Sequence, residues 1–141
     1  MANDGADFAR SMSIATSGLR AQAGRMRVIS ENIANADSTA ATAGGDPYRR
    51  KVPTFSSALD RTLDAKVVTL GKIRPDPAAF RVKHDLGNPA ADPAGNVKFP
   101  NVNPLIEMTD MRDAQRSYEA NLNIISATRR MIQRTLDILK A

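Results

Sequence analysis

The chain has 141 residues, a formal net charge of +5, four Phe, two Tyr, no Trp and no Cys. One domain is expected at this length, with at most a small second subdomain, and the lack of Cys excludes disulfides and thiolate metal sites. No apolar stretch nears the roughly 20 residues needed to cross a bilayer, and the first ten residues lack the basic start and apolar run of a cleaved secretory signal.

Residues 1–6 are expected to be disordered. A helix is expected from about Asp7 to Asn35, because Phe8, Met12, Ala15, Leu19, Gln22, Met26, Ile29 and Ile33 alternate steps of four and three, the period of a coiled-coil seam. Gly18 and Gly24 inside it suit the close approach of another backbone. Ser38 to Asp46 is small, polar and Gly-rich, and reads as a flexible loop. Phe55, Leu59 and Leu63 are four apart, which predicts a short helix over 56–63.

From Val67 onward, short β-type runs are punctuated by Gly and Pro. Phe80–Lys83 and Val97–Phe99 alternate and are expected to pair across the loop that holds Asp92 to Gly95. Asn103 then caps a second helix with Pro104 at its first position. No Gly or Pro follows as far as Lys140, so the helix would be about 50 Å long at 1.5 Å per residue. Met108, Met111, Gln115, Tyr118, Leu122, Ile125, Arg129, Ile132, Leu136 and Leu139 form its seam. Polar seam members such as Gln22, Gln115 and Arg129 set register or face a further partner.

The expected fold is therefore mainly α. Long N- and C-terminal helices (1–38 and 101–141) pair as a coiled coil, and 39–100 forms a loop plus a small irregular β-containing subdomain. The helix-packing set is Phe8, Met12, Leu19, Met26, Ile29, Ile33, Met108, Met111, Tyr118, Leu122, Ile125, Ile132, Leu136 and Leu139.

The middle segment carries most of the positive excess, densest at Arg49, Arg50 and Lys51. A basic triplet can meet phosphate, yet no nucleic-acid-binding motif accompanies it, so no nucleic-acid partner is expected. Arg49 and Arg50 are expected to meet carboxylates across a subunit contact, since a guanidinium fork suits bidentate pairing. The ridge Glu107, Asp110 and Asp113 of an adjacent copy is one candidate, and an acid of another protein in the same assembly is the other. Acids there also complement the helix dipole, which explains them without a metal. With a single histidine, His84, no cofactor or metal site and no catalytic constellation is expected. A coiled-coil adaptor and a basic nucleic-acid-binding module are the alternatives from other classes.

Ser17-Gly18-Leu19-Arg20-Ala21-Gln22 and Arg25 to Ala36, with Ser30-Glu31-Asn32-Ile33-Ala34-Asn35 at its centre, resemble the N-terminal signature of bacterial flagellar rod and hook proteins. Pro47-Tyr48-Arg49-Arg50-Lys51, Pro100-Asn101-Val102-Asn103 and Glu107-Met108-Thr109-Asp110-Met111 narrow the resemblance to the short proximal rod members. The middle departs from the family at Leu86 to Ala90 and at Gly95-Asn96-Val97. The resemblance implies a structural protein, not an enzyme. It implies export through the flagellar type III apparatus without a cleaved signal, and assembly in the periplasm as part of the basal-body rod. The implied partners are other rod proteins, copies of the chain itself, the export apparatus and a rod-base adaptor, with no direct membrane insertion.

Overall fold

The computed structural model describes residues 2–140, with side chains described from Gly5 onward. Helix α1 runs over Ala2–Ala34 and helix α2 over Pro104–Lys140. Residues 2–6, expected to be disordered, are the first turns of α1. No Pro interrupts them. Asn103 Oδ1 accepts the Leu105 N–H at 3.1 Å, so the cap and Pro104 act as their types predict.

Among the described residues, three two-stranded antiparallel sheets come between the helices in sequence. Strands β1 (Lys51–Val52), β2 (Phe55–Asp60), β3 (Ala65–Leu70), β4 (Arg74–Pro75), β5 (Arg81–His84) and β6 (Asn96–Phe99) pair as β1–β4, β2–β3 and β5–β6. The expected pairing of 80–83 with 97–99 is found, with Arg81 opposite Phe99 and Lys83 opposite Val97. Its connection turns at Gly95, where φ is 79° and an added Cβ would strike His84 and Leu86.

The short helix expected over 56–63 is instead strand β2 and its turn. Val67, Val68 and Leu70 form a strand whose backbone needs a partner, and Phe55 to Asp60 supply it, Phe55 opposite Leu70 and Asp60 opposite Ala65. Asp60 Oδ1 accepts the N–H of Thr62 at 2.9 Å, and Asp64 adopts φ 47°. This local Asx geometry competes with helix and wins.

The chain divides into two compact units, and each helix contributes to both. Unit 1 comprises 1–26, 54–72 and 113–141. In it the β2–β3 hairpin lies along α1: the Val68 N–H donates to Ser17 Oγ at 3.1 Å, and Arg10 Nε donates to the Leu63 carbonyl at 2.7 Å. Gly18 faces Asn121 of α2 so closely that a Cβ would lie 3.0 Å from the amide. Unit 2 comprises 27–53 and 73–112. Val28, Ile29, Val97 and Val102 are its buried apolar centre.

The two helices pack together, as the seam pattern requires. The packed row on α2 is turned from the expected one. Glu107, Ala114 and Thr128 are buried, and Met111, Tyr118, Asn121, Ile125 and Ile132 are half-buried. These residues also alternate four and three, but the row shares only Met111, Tyr118, Ile125 and Ile132 with the expected seam. Met108, Gln115, Leu122, Arg129, Leu136 and Leu139 are exposed within the single chain. On α1, Ala15 and Ile29 of the expected row are buried and Phe8, Met12, Leu19, Gln22, Met26 and Ile33 are half-buried, while Ala21, Val28 and Asn32, each one residue before a member of that row, are buried as well. Gln22 Oε1 is buried without a hydrogen-bond partner.

Candidate functional site

Two features stand out, one in each unit. The first is a polar junction in unit 2, built around Asn32 and Glu107, each only 1% exposed. Asn32 lies in the last turn of α1 and Glu107 in the first turn of α2. The Asn32 amide uses all of its strong hydrogen-bonding capacity. Its Nδ2 donates to the Lys51 carbonyl at 2.9 Å and to Glu107 Oε2 at 3.0 Å. Its Oδ1 accepts the Lys51 N–H at 2.9 Å and the Tyr48 hydroxyl at 2.8 Å. One side chain thus gives Lys51, the first residue of β1, the bonds a neighbouring strand would give.

The basic triplet surrounds this core. Arg50 Nε donates to Glu107 Oε1 at 2.5 Å, and its other nitrogens lie 3.3 Å from Asp76 Oδ2 and 3.7 Å from Asp110 Oδ2. Burial works against the Arg50 charge, but the Glu107 and Asp76 carboxylates outweigh it and raise the pKa. The Ala78 N–H leads the groups that hold the Asp76 carboxyl below the usual range; burial opposes it, and Arg50 and then Arg49 add to the lowering. Arg49 donates to the carbonyls of Asp76 and Ala78 at 2.9 and 3.0 Å, and stacks 4.1 Å over the Phe80 ring. Lys51 pairs with Glu31. Asn101 closes the ring: its Oδ1 accepts the Arg50 N–H at 2.8 Å, and its Nδ2 donates to the Asp76 and Ala78 carbonyls.

Arg49, Arg50 and Lys51 were expected to face a neighbouring subunit, and all three are engaged inside their own chain. The acidic ridge is divided. Glu107 is buried, Asp110 is near Arg50, and Asp113 is exposed. Sequence reasoning named Glu107 but missed Asn32, Asn101 and Asp76 as its companions. A signal existed: Asn32 falls at an inward position of an apolar helix, one before Ile33, where a polar residue requires partners.

Tyr48 reports on this burial. Burial first, then the carboxylates of Glu31 and Glu107, push its phenol from 10.0 to about 12. A raised folded pKa means stability that is complete below the unfolded value near 10 and lost as pH rises through about 12. Ultraviolet titration should show one of the two tyrosines ionising late. Tyr48→Phe should remove that late step.

The second feature is the open face of α2 in unit 1. Leu122, Ile124, Met131, Leu136, Ile138 and Leu139 are 45–77% exposed. Exposed apolar side chains in this number on one helix are the kind of surface through which proteins associate.

A buried junction that spends its charges internally, and a long helix that leaves apolar side chains open, define a structural assembly subunit. Comparison with known sequences agrees. The family described as "Flagella basal body rod protein" matches residues 12–41, and "Flagellar basal body rod FlgEFG protein C-terminal" matches 94–138. The flagellar basal-body rod protein FlgC of Agrobacterium fabrum is 55% identical over 91% of this chain and 92% of its own length. Those of Aquifex aeolicus and Bacillus subtilis are each 38% identical, over 95% and 92% of this chain and 98% and 97% of theirs. The chain belongs to the FlgC family of flagellar basal-body rod proteins, a structural family and not an enzyme family.

Proposed function

We propose that this rod subunit builds the proximal part of the rod in the periplasm, after export through the flagellar apparatus without a cleaved signal. There it forms drive shaft and export channel by packing its paired terminal helices against copies of itself and other rod proteins, with the export apparatus and a rod-base adaptor as neighbours below. The open apolar face of α2 carries this reading. A single chain leaves that face in water, and a helical stack of subunits covers it through heterologous contacts that do not close. Torque then passes through many small helix contacts, and the junction around Asn32 and Glu107 keeps each pair of helices rigid under load.

Among the polar residues first assigned to a subunit contact, Asp113 is the exposed acid available to a neighbour. Arg49, Arg50, Lys51 and Glu107 support assembly by holding the junction. The same internal engagement of the triplet argues against the nucleic-acid reading.

Leu122→Asp tests the proposal. Leu122 is 46% exposed, so the charge stays wet in the monomer and stability should change by no more than about 0.5 kcal/mol. In an assembled seam the same charge costs several kcal/mol. The expected result is a folded chain by circular dichroism that fails to form rods. Motile cells with normal basal bodies would reject the proposal.

A further inference from the structure

The β2–β3 hairpin of unit 1 has one closed edge and one open edge. The Gly71 N–H donates to the Thr54 carbonyl at 2.6 Å, one step beyond the Phe55–Leu70 pair. Bonded pairs alternate along an antiparallel ladder, so Ser56, Ala58 and Asp60 are the residues of β2 that bond β3. Phe55, Ser57 and Leu59 turn their N–H and C=O groups away from it. On β3 the outward groups face α1, where the Val68 N–H donates to Ser17 Oγ at 3.1 Å. Among the described residues, no backbone group bonds the outer edge of β2, and Phe55 to Leu59 are all exposed.

Exposed strand edges are ordinarily guarded by charge or by Pro. Two other strands of this chain follow that rule: β4 is Arg74-Pro75, and β5 carries Arg81 and Lys83. Phe55 to Leu59 hold no charge, no Pro and no Gly.

This edge is also complementary to itself. When two copies of β2 run antiparallel with Ser57 opposite Ser57, Phe55 of each stands opposite Leu59 of the other. Every outward residue then meets an outward residue, which gives about six hydrogen bonds. A shift by two residues leaves one outward residue of each strand without its partner, and a shift by one sets outward residues against inward ones. Phe55, Ser57 and Leu59 share one face of the sheet, so the same register sets an aromatic ring beside an aliphatic side chain twice, a favourable cross-strand pair.

We propose that β2 docks on β2 of a second copy, giving a symmetric dimer with a four-stranded sheet. The contact is isologous and closes on itself. The rod stack proposed above uses heterologous contacts, so the dimer is a state of the free subunit, and it covers the open edge until the chain joins the stack. It holds whether or not the chain builds a rod.

Sedimentation equilibrium of the purified full chain tests this. Monomer and dimer should exchange reversibly, with a Kd on the order of 100 μM for so small a contact. A chain that stays monomeric at about 1 mM would overturn the proposal. Ser57→Pro removes an N–H that β3 does not use, so the hairpin remains and the Kd should rise at least about tenfold. Leu59→Lys guards the edge without touching the backbone and should do the same. Association unchanged by either variant would place the contact on another surface, such as α2, and overturn the proposal. The chain has no Cys, so a single introduced thiol is a clean reporter. Residues 57 of the two copies meet at the symmetry axis with Cα atoms about 5.5 Å apart, within disulfide reach. Mild oxidation should give covalent dimers from Ser57→Cys and far fewer from Lys66→Cys, whose strand is an outer one of the four. Equal yields, or none from Ser57→Cys, would also overturn the contact.

Discussion

Asn32→Asp should destabilise unit 2 more than Asn32→Ala, although it alters the side chain far less. In the native junction Oδ1 accepts from the Tyr48 hydroxyl and the Lys51 N–H, and an aspartate keeps both bonds. Nδ2 donates to Glu107 Oε2 and to the Lys51 carbonyl. In the variant that position becomes a carboxylate oxygen facing a carboxylate at about the native 3.0 Å, with little water to screen it. Alanine merely orphans the four groups, at about 1–3 kcal/mol for each that stays dry. Because some will find water, a total of about 3–5 kcal/mol is expected for Asn32→Ala, within the range for breaking a buried polar pair. Urea unfolding midpoints should therefore rank the natural chain above Asn32→Ala and both above Asn32→Asp. Glu107→Gln placed on Asn32→Asp returns an amide donor to the pair and should recover part of the loss. An aspartate variant as stable as the natural chain would show that the Asn32–Glu107 contact is not what holds the junction.

Much of the fold was legible because it rests on period and punctuation. The existence of α1, the Asn103-Pro104 helix start and the β5–β6 pairing all follow from side-chain spacing and capping chemistry. The β2–β3 hairpin did not, because Phe55, Leu59 and Leu63 mimic a helical period. What decides their conformation is a non-local pairing with residues 65–70 and the turn chemistry of Asp60 and Asp64. The polar junction was half visible. Arg50 and Glu107 were recognised as partners in kind. Spacing along the chain cannot say whether two charges 57 residues apart meet within one molecule or between two.

The sharpest difference lies on α2, where the packed row sits one residue before half of the expected one. Hydrophobicity pointed to Met108, Gln115, Leu122 and Arg129 as one flank, because Met108 and Leu122 are the bulky members. The structure buries Glu107, Ala114 and Thr128 instead, and a one-residue shift turns a helix face by about 100°. Small and polar residues let the helices come close, as Gly18 against Asn121 shows, and the larger apolar ones stay outward for another chain. The same substitution at two adjacent positions separates these rows. Ala114 is 0% exposed and Gln115 is exposed. Glutamate is a good helix former, so intrinsic propensity changes little at either site. Ala114→Glu forces a long charged side chain into a filled, dry position and should cost more than about 3 kcal/mol, enough to unfold a marginal chain. Gln115→Glu keeps a similar shape in water and should stay within about 0.5 kcal/mol. Thermal unfolding of the two purified variants measures the difference. Equal stabilities, or a larger loss at Gln115, would put the seam back on the row that hydrophobicity alone selects, and the apolar residues now assigned to a neighbouring subunit would belong to the chain's own core.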